Sequence, residues 1–231
     1  MSSRYFTDRF RFPDPREADP EGLVAYGGDL NPQRVLAAYA QGIFPWPYDA
    51  RTPLLWFSPD PRMVLRPAEL HVSRSLHKTI KKHLFDIRFD TAFDEVIRHC
   101  ATVRRPGQRG TWITEEIIRA YGKLHKMGFA HSAEAWSEDT LVGGIYGISL
   151  GAAFFGESMF TRRPDASKAA FVTLVKQLRT WEFQFLDCQI YAEHLARFGA
   201  TPWPRARFLT ALAKALKQPT RRGSWRLNDE T

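Results

Sequence analysis

Apolar residues along this chain change their period several times, and each change marks an element. The first sixty positions show little period: Phe12-Pro13, Asp19-Pro20 and Gly27-Gly28 punctuate them, which predicts largely irregular structure. One helix interrupts that stretch. Asn31 is placed to cap it, Pro32 takes the first helical position, Val35, Leu36 and Tyr39 give an apolar face, and Gly42 ends the run. Aromatic loops full of proline follow at 42–46 and 55–62. Spacing then predicts a helix over 73–83, a short strand over 87–89, and helices over 91–103 and 115–127, the last stopped by Gly128. Three alternating runs, 131–136, 141–148 and 152–159, are joined only by Glu138-Asp139 and Leu150-Gly151, so an antiparallel meander is expected. A helix over 166–181, a strand over 185–190, a short helix near 193–198 and a basic helix over 205–216 complete the chain, with a frayed tail from Gln218. The order gives an α+β fold with a mainly antiparallel sheet. Residues 1–61 read as a small N-terminal domain packed on a second domain, 62–231.

Composition narrows this picture. A chain of 231 residues, 44% hydrophobic and 13% aromatic, is ample for one large packed core or two small ones. No apolar run approaches the roughly 20 residues that cross a bilayer, and the first residues lack the apolar region of a secretory signal. A cytoplasmic protein without membrane association is therefore expected. Cys100 and Cys188 are too few and too far apart for a disulfide framework or a zinc site, and should be reduced apolar fillers. The formal charge of +8 is unevenly spread: net −2 over 1–60, +6 over 61–109, −3 over 110–160 and +7 over 161–231. Two basic blocks thus flank a mildly acidic middle. That layout suits a polyanion gripped at the periphery of a less basic centre, and equally suits a solvated surface of high isoelectric point.

Candidate chemistry comes from polar groups set inside apolar runs. Glu157 and Ser158 stand between Gly156 and Met159-Phe160, and Asp187 and Gln189 lie within the predicted strand at 185–190. Such groups are costly to bury unless they are paired or used. The segment Gly143-Gly144-Ile145-Tyr146-Gly147 would let backbone approach a ligand closely, and an apolar pocket with a few fixed polar groups is the usual form of a small-ligand site. Two apart on a strand, Asp187 and Gln189 share a face, as a buried structural pair or as a pair at work. His125 and His131 straddle a helix end, no His, Cys and carboxylate cluster has ligand spacing, and no P-loop pattern occurs. No metal and no cofactor is expected.

Six short words occur in one order over most of the chain: Gly27-Gly28-Asp29-Leu30, Gly42-Ile43-Phe44-Pro45-Trp46, Trp56-Phe57-Ser58-Pro59-Asp60-Pro61-Arg62, Gly110-Thr111-Trp112-Ile113-Thr114, Gly156-Glu157-Ser158-Met159-Phe160 and Leu186-Asp187-Cys188-Gln189. Together, over about residues 10–215, they closely resemble the bacterial leucyl/phenylalanyl-tRNA-protein transferases. The order of elements also resembles the GNAT acyltransferase fold. The family resemblance implies transfer of Leu, Phe or Met from aminoacyl-tRNA to the N-terminal Arg or Lys of acceptor proteins, marking them for degradation by the N-end rule pathway. An aminoacyl ester is already activated, so such an enzyme has mainly to hold an amine against a carbonyl and move a proton.

Site residues follow from the same resemblance. Asp187 polarises or orients Gln189, whose carbonyl accepts a proton or hydrogen bond from the attacking amine, and Glu157 orients the ammonium or the basic side chain of the acceptor. The RNA hydroxyl as proton carrier is the alternative to Gln189. Ile145, Phe154, Met159, Phe171 and Leu174 line the aminoacyl pocket; Ile145 and Leu174 depart from the Met and the aromatic expected there. Trp46 and Trp112 stand near the 3′-terminal adenosine, where stacking is worth roughly 1–3 kcal/mol, with Tyr39 close by. Phosphate contacts are expected from Arg74, Lys78, Lys81, Lys82, Arg104, Arg105 and Arg109, and from Arg162, Arg163, Lys168, Arg205 and Arg207 in the second block. The protein is expected to be a monomer. The alternatives are a catalytically silent tRNA-binding protein on the same scaffold and an acyl-CoA-dependent acetyltransferase, the latter lacking its pyrophosphate loop here.

Overall fold

The computed structural model describes residues 11–47, 52–103 and 111–227. Arg104, Arg105 and Arg109 lie outside the described residues. In chain order the elements are β1 (Leu23–Tyr26), α1 (Pro32–Ala40), β2 (Phe44–Pro45), β3 (Leu55–Phe57), β4 (Arg62–Leu65), α2 (Arg74–Lys81), β5 (Asp86–Phe89), α3 (Phe93–Thr102) and α4 (Glu115–Lys126). They continue with β6 (Ala130–Ser137), β7 (Thr140–Leu150), β8 (Ala153–Thr161), α5 (Ala166–Thr180), β9 (Phe185–Gln189), α6 (Glu193–Ala196), β10 (Thr201–Trp203) and α7 (Arg205–Ala215). The helix starts follow local chemistry: the side chains of Asn31, Ser73 and Thr114 accept from the backbone N–H groups of Gln33, Leu76 and Ile117.

A seven-stranded sheet in the order β10-β4-β9-β8-β7-β6-β5 organises the molecule. It is antiparallel throughout except between β8 and β9, which run parallel, with α5 as their crossover. The fold is therefore mixed α/β with a mostly antiparallel sheet. Alternation along the strands divides the interior in two. Phe155, Phe185 and Tyr146 join a core with Val35, Val96, Ile117 and Phe208, while Phe154, Leu186 and Ile145 join another with Phe171, Val175 and Leu178 of α5.

Three expectations need correction. The N-terminal stretch is not irregular outside its helix: β1, β3 and β2 form a small antiparallel sheet, too short in each strand to leave a period. Strands β4 and β10 were likewise hidden, β4 because all four of its residues are buried and no alternation shows. Over its described residues, 218–227, the tail is tied down rather than frayed. Thr220 Oγ1 accepts from Gly151 N–H (2.9 Å), Trp225 N–H donates to Asp90 (2.6 Å), and the Trp225 indole, 2% exposed, stacks on His131 at 3.7 Å.

Candidate active site

Strands β8 and β9 pair only from Ala153↔Phe185 to Phe155↔Asp187 and then part. Just beyond that point β8 carries a bulge: Tyr146 faces Ser158 and Gly147 faces Gly156, leaving Glu157 as the extra residue. The bulge aims Glu157 at two tyrosines from separate helices. Tyr39 of α1 donates to Glu157 Oε1 at 2.6 Å, Tyr121 of α4 donates to Oε2 at 3.2 Å, and the two hydroxyls lie 2.6 Å apart. Gln189 Nε2 donates to Oε1 at 2.9 Å. Burial raises the Glu157 carboxyl to about 7; the Asp187 charge also raises it, while the two hydroxyls and Arg62 oppose the rise. Burial first, then the Glu157 charge, pushes both tyrosine hydroxyls well above their ordinary range.

Gln189 reaches this carboxylate from a left-handed backbone, φ 63°. Its own N–H donates to Asp187 Oδ1 at 2.9 Å, a bond that helps hold the strained conformation. Asp187 therefore meets Gln189 through the backbone, not side chain to side chain as expected, because both of its oxygens are taken by Arg62 at 2.9 and 2.7 Å. That ion pair is wholly buried. Arg62 also donates to Gly42 O at 3.1 Å and lies between the rings of Phe44 and Phe208, at 4.8 and 4.5 Å. Neither Arg62 nor Tyr121 stood among the expected site residues. An arginine opening an apolar run, Arg62-Met63-Val64-Leu65, is the signal of a buried pair that was there to be read.

Where β8 and β9 separate, a cavity of about 480 Å³ opens. Of the expected residues, Trp46, Trp112, Ile145, Glu157, Met159, Phe171 and Gln189 line it; Phe44, Leu186, Cys188, Ile190, His194 and Leu195 line it too. Phe154, Leu174, Tyr39 and Asp187 do not; they are buried behind the lining. Phe154 fills the space beside Gly147, where a Cβ would come within 2.6 Å of its ring, and Tyr39 is committed to Glu157. The glycines at 143, 144 and 147 serve packing, not ligand approach. A Cβ on Gly143 would lie 2.7 Å from Ala166, and one on Gly144 3.1 Å from Val96. Nor does the acidic middle block surround the cavity: Glu157 is the one carboxylate among the lining residues. The other buried member, Glu134, is held by Ser132 and Thr91.

The expected phosphate contacts divide sharply. Arg74, Lys78, Lys81 and Lys82 are exposed on or just past α2, and their side chains have no partner among the described residues. The second block is largely engaged: Arg162 with His99, Arg163 with Ser137, Lys168 with Asp165 (2.8 Å), Arg205 with Ser58 O (2.6 Å) and Arg207 over Trp203 (3.9 Å). Thr79 of α2 reaches Asp165 at 3.5 Å, and Lys168 lies close enough to help lower the pKa of His194 at the cavity, after burial. No group of three or more His, Cys, Asp or Glu among the described residues is arranged to hold a metal, and no helix there is long and apolar enough to cross a membrane.

Comparison with known proteins converges. Residues 64–213 match the model of the leucyl/phenylalanyl-tRNA protein transferase family, and residues 28–60 match that of its N-terminal domain. A leucyl/phenylalanyl-tRNA–protein transferase of Myxococcus xanthus is 63% identical over 93% of this chain and 91% of its own. The protein of that name from Anaeromyxobacter dehalogenans is 59% identical over 94% and 92%, and one from Nitratidesulfovibrio vulgaris 54% over 94% and 92%. Among solved structures, a conserved protein of unknown function from Staphylococcus epidermidis matches at a TM-score of 0.43 and 10% identity, covering 62% of this chain and 57% of its own.

Proposed function

We propose, from the premise that this chain belongs to the leucyl/phenylalanyl-tRNA protein transferase family and is an aminoacyltransferase, that it transfers leucine, phenylalanine or methionine to the N-terminal Arg or Lys of acceptor proteins. By that transfer it marks them for degradation through the N-end rule pathway. One observation carries the reading: an apolar cavity whose polar wall is Glu157 and Gln189. The aminoacyl side chain occupies the part lined by Ile145, Met159 and Phe171, where contact with apolar groups separates substrates by only roughly 1–3 kcal/mol per methylene. Met159 adapts to more than one shape. Trp46 and Trp112 stack the terminal adenosine, and the α2 cations with the 104–109 segment hold the acceptor stem.

In this reading the amine of the acceptor sits between the ester carbonyl and the Glu157–Gln189 wall. With Nε2 given to Glu157, Gln189 Oε1 accepts a hydrogen bond from the amine. Glu157, the carboxylate at the cavity, draws the cationic N-terminus. Asp187 and Arg62 hold the Gln189 backbone in place. The ester bond supplies the driving force, so no cofactor takes part. A division into 1–61 and 62–231 is supported by the change of sheet between Phe57 and Arg62, and a GNAT-like arrangement by the meander followed by α5 and the parallel strand β9. We take the enzyme to act in the cytoplasm as a monomer.

The test is transfer of labelled leucine and phenylalanine from charged tRNA to peptides beginning with Arg, Lys or Asp, with Gln189→Ala beside the wild type. Transfer restricted to the basic N-termini, falling at least tenfold in the variant, is expected. Binding of charged tRNA without peptide-bond formation on any acceptor would replace this reading with that of a silent tRNA-binding protein.

A further inference from the structure

The two tyrosines against Glu157 come from helices far apart in the chain, and neither lines the cavity. Their hydroxyls and the carboxylate form a closed ring of three contacts: Tyr39 to Oε1 (2.6 Å), Tyr121 to Oε2 (3.2 Å) and hydroxyl to hydroxyl (2.6 Å). Three contacts need three hydrogens. With Glu157 ionised, the two phenols supply two, since each carries one donor hydrogen. A proton on the carboxylate supplies the third and closes the ring. The site thus has a place for one more proton, next to the reacting amine. Gln189 has none, because a neutral carboxamide offers acceptors and donors but does not titrate.

We propose that Glu157 accepts the proton lost by the attacking amine, and that Tyr39 and Tyr121 are the positioning residues that hold its carboxylate for that task. The proposal rests on the aminoacyl-transfer reading above. As the acceptor nitrogen bonds to the ester carbon, one N–H proton passes to the Glu157 carboxylate. The tetrahedral adduct then collapses, the bond from carbon to the ribose oxygen breaks, and Glu157 returns the proton to that oxygen. The products are a peptide bond and a free ribose hydroxyl, with Glu157 restored.

Every charged or titratable group around Glu157 bears on this step. Tyr39 comes from α1, Tyr121 from α4, Asp187 from β9 and Arg62 from β4, with Gln189 as the neutral neighbour. Their balance leaves the carboxyl near 7, where it can take and return a proton at neutral pH. Removing one tyrosine hydroxyl destabilises the ionised carboxylate more than the neutral acid, since hydrogen bonds to a charged group are the stronger. The carboxyl then rises further, and the active, ionised form appears only at higher pH.

The experiment measures single-turnover transfer of leucine from charged tRNA to an Arg-initiated peptide between about pH 5.5 and 9, corrected for ester hydrolysis. Wild type, Tyr121→Phe, Tyr39→Phe and Glu157→Gln are compared, with tRNA affinity and tryptophan fluorescence as checks on binding and fold. The free acceptor peptide is the same in all four, so differences between profiles arise in the enzyme-bound complex. Expected are a midpoint moved up by about one pH unit in each Tyr→Phe variant that folds, and a rate at least 100-fold lower in Glu157→Gln. Profiles of both Tyr→Phe variants coincident with wild type, or Glu157→Gln retaining both rate and pH dependence, would overturn the proposal and leave transfer itself standing. Absence of transfer by the wild type would remove the underlying reading instead.

Discussion

Asp187 gives both its oxygens to one guanidinium in a pair that is fully buried on both sides. Replacing it with alanine therefore does two things: it frees the Gln189 N–H, and it leaves Arg62 between Phe44 and Phe208 without its ion-pair partner. Breaking a buried pair from one side typically costs about 3–5 kcal/mol. Asp187→Ala is expected to lose stability of that order in urea denaturation, while Gln189→Ala, whose side chain lines the cavity, should lose far less. Activity lost in the first variant is thus not by itself a measure of chemistry.

Helix α2 is a clear case of an element whose charge is not spent inside the protein. Its N-cap Ser73 and buried Leu76 fix it against the fold, and Arg74, Lys78, Lys81 and the following Lys82 point outward without partners among the described residues. Cations that neutralise RNA phosphates release bound counterions, so affinity falls with salt in proportion to their number. The triple variant Lys78→Ala, Lys81→Ala, Lys82→Ala is expected to weaken tRNA binding and to flatten the slope of log affinity against log salt by about one for each phosphate no longer neutralised. Filter binding across 50–200 mM salt measures both. Substitution of Arg205 or Lys168, already engaged with Ser58 O and Asp165, should change the slope less.

Across the whole molecule, the C-terminal tail acts as a strap. It passes Gly151 at Thr220, crosses the end of α4 at Met127, and sets Trp225 against His131, Phe154, Trp181 and Phe183. Trp225 thereby completes the core that backs the cavity through Phe154. Removing so large a buried side chain leaves a void, and Trp225→Ala is expected to cost roughly 3–5 kcal/mol. Chemical denaturation measures it; a loss under about 1 kcal/mol would mean that the strap contributes little.

The sequence by itself determined the helices, the meander and their order. Caps such as Asn31, Ser73 and Thr114 and the periods of 3.6 and 2 act within a few residues, so they are visible locally. It also carried the family words and the polar residues Glu157, Asp187 and Gln189 within apolar runs. Only the tertiary structure decided what those residues touch. Tyr39 meets Glu157 across 118 positions and Arg62 meets Asp187 across 125, and no local pattern encodes such meetings. The short strands β1 to β4 and the Trp225 strap were equally hidden, because two to four residues are too few to show a period, full burial erases alternation in β4, and a lone aromatic in a polar tail has no period. Which oxygen faces which hydrogen at Glu157 depends on one extra residue in β8, and a bulge is settled by the pairing of strands rather than by the composition of either.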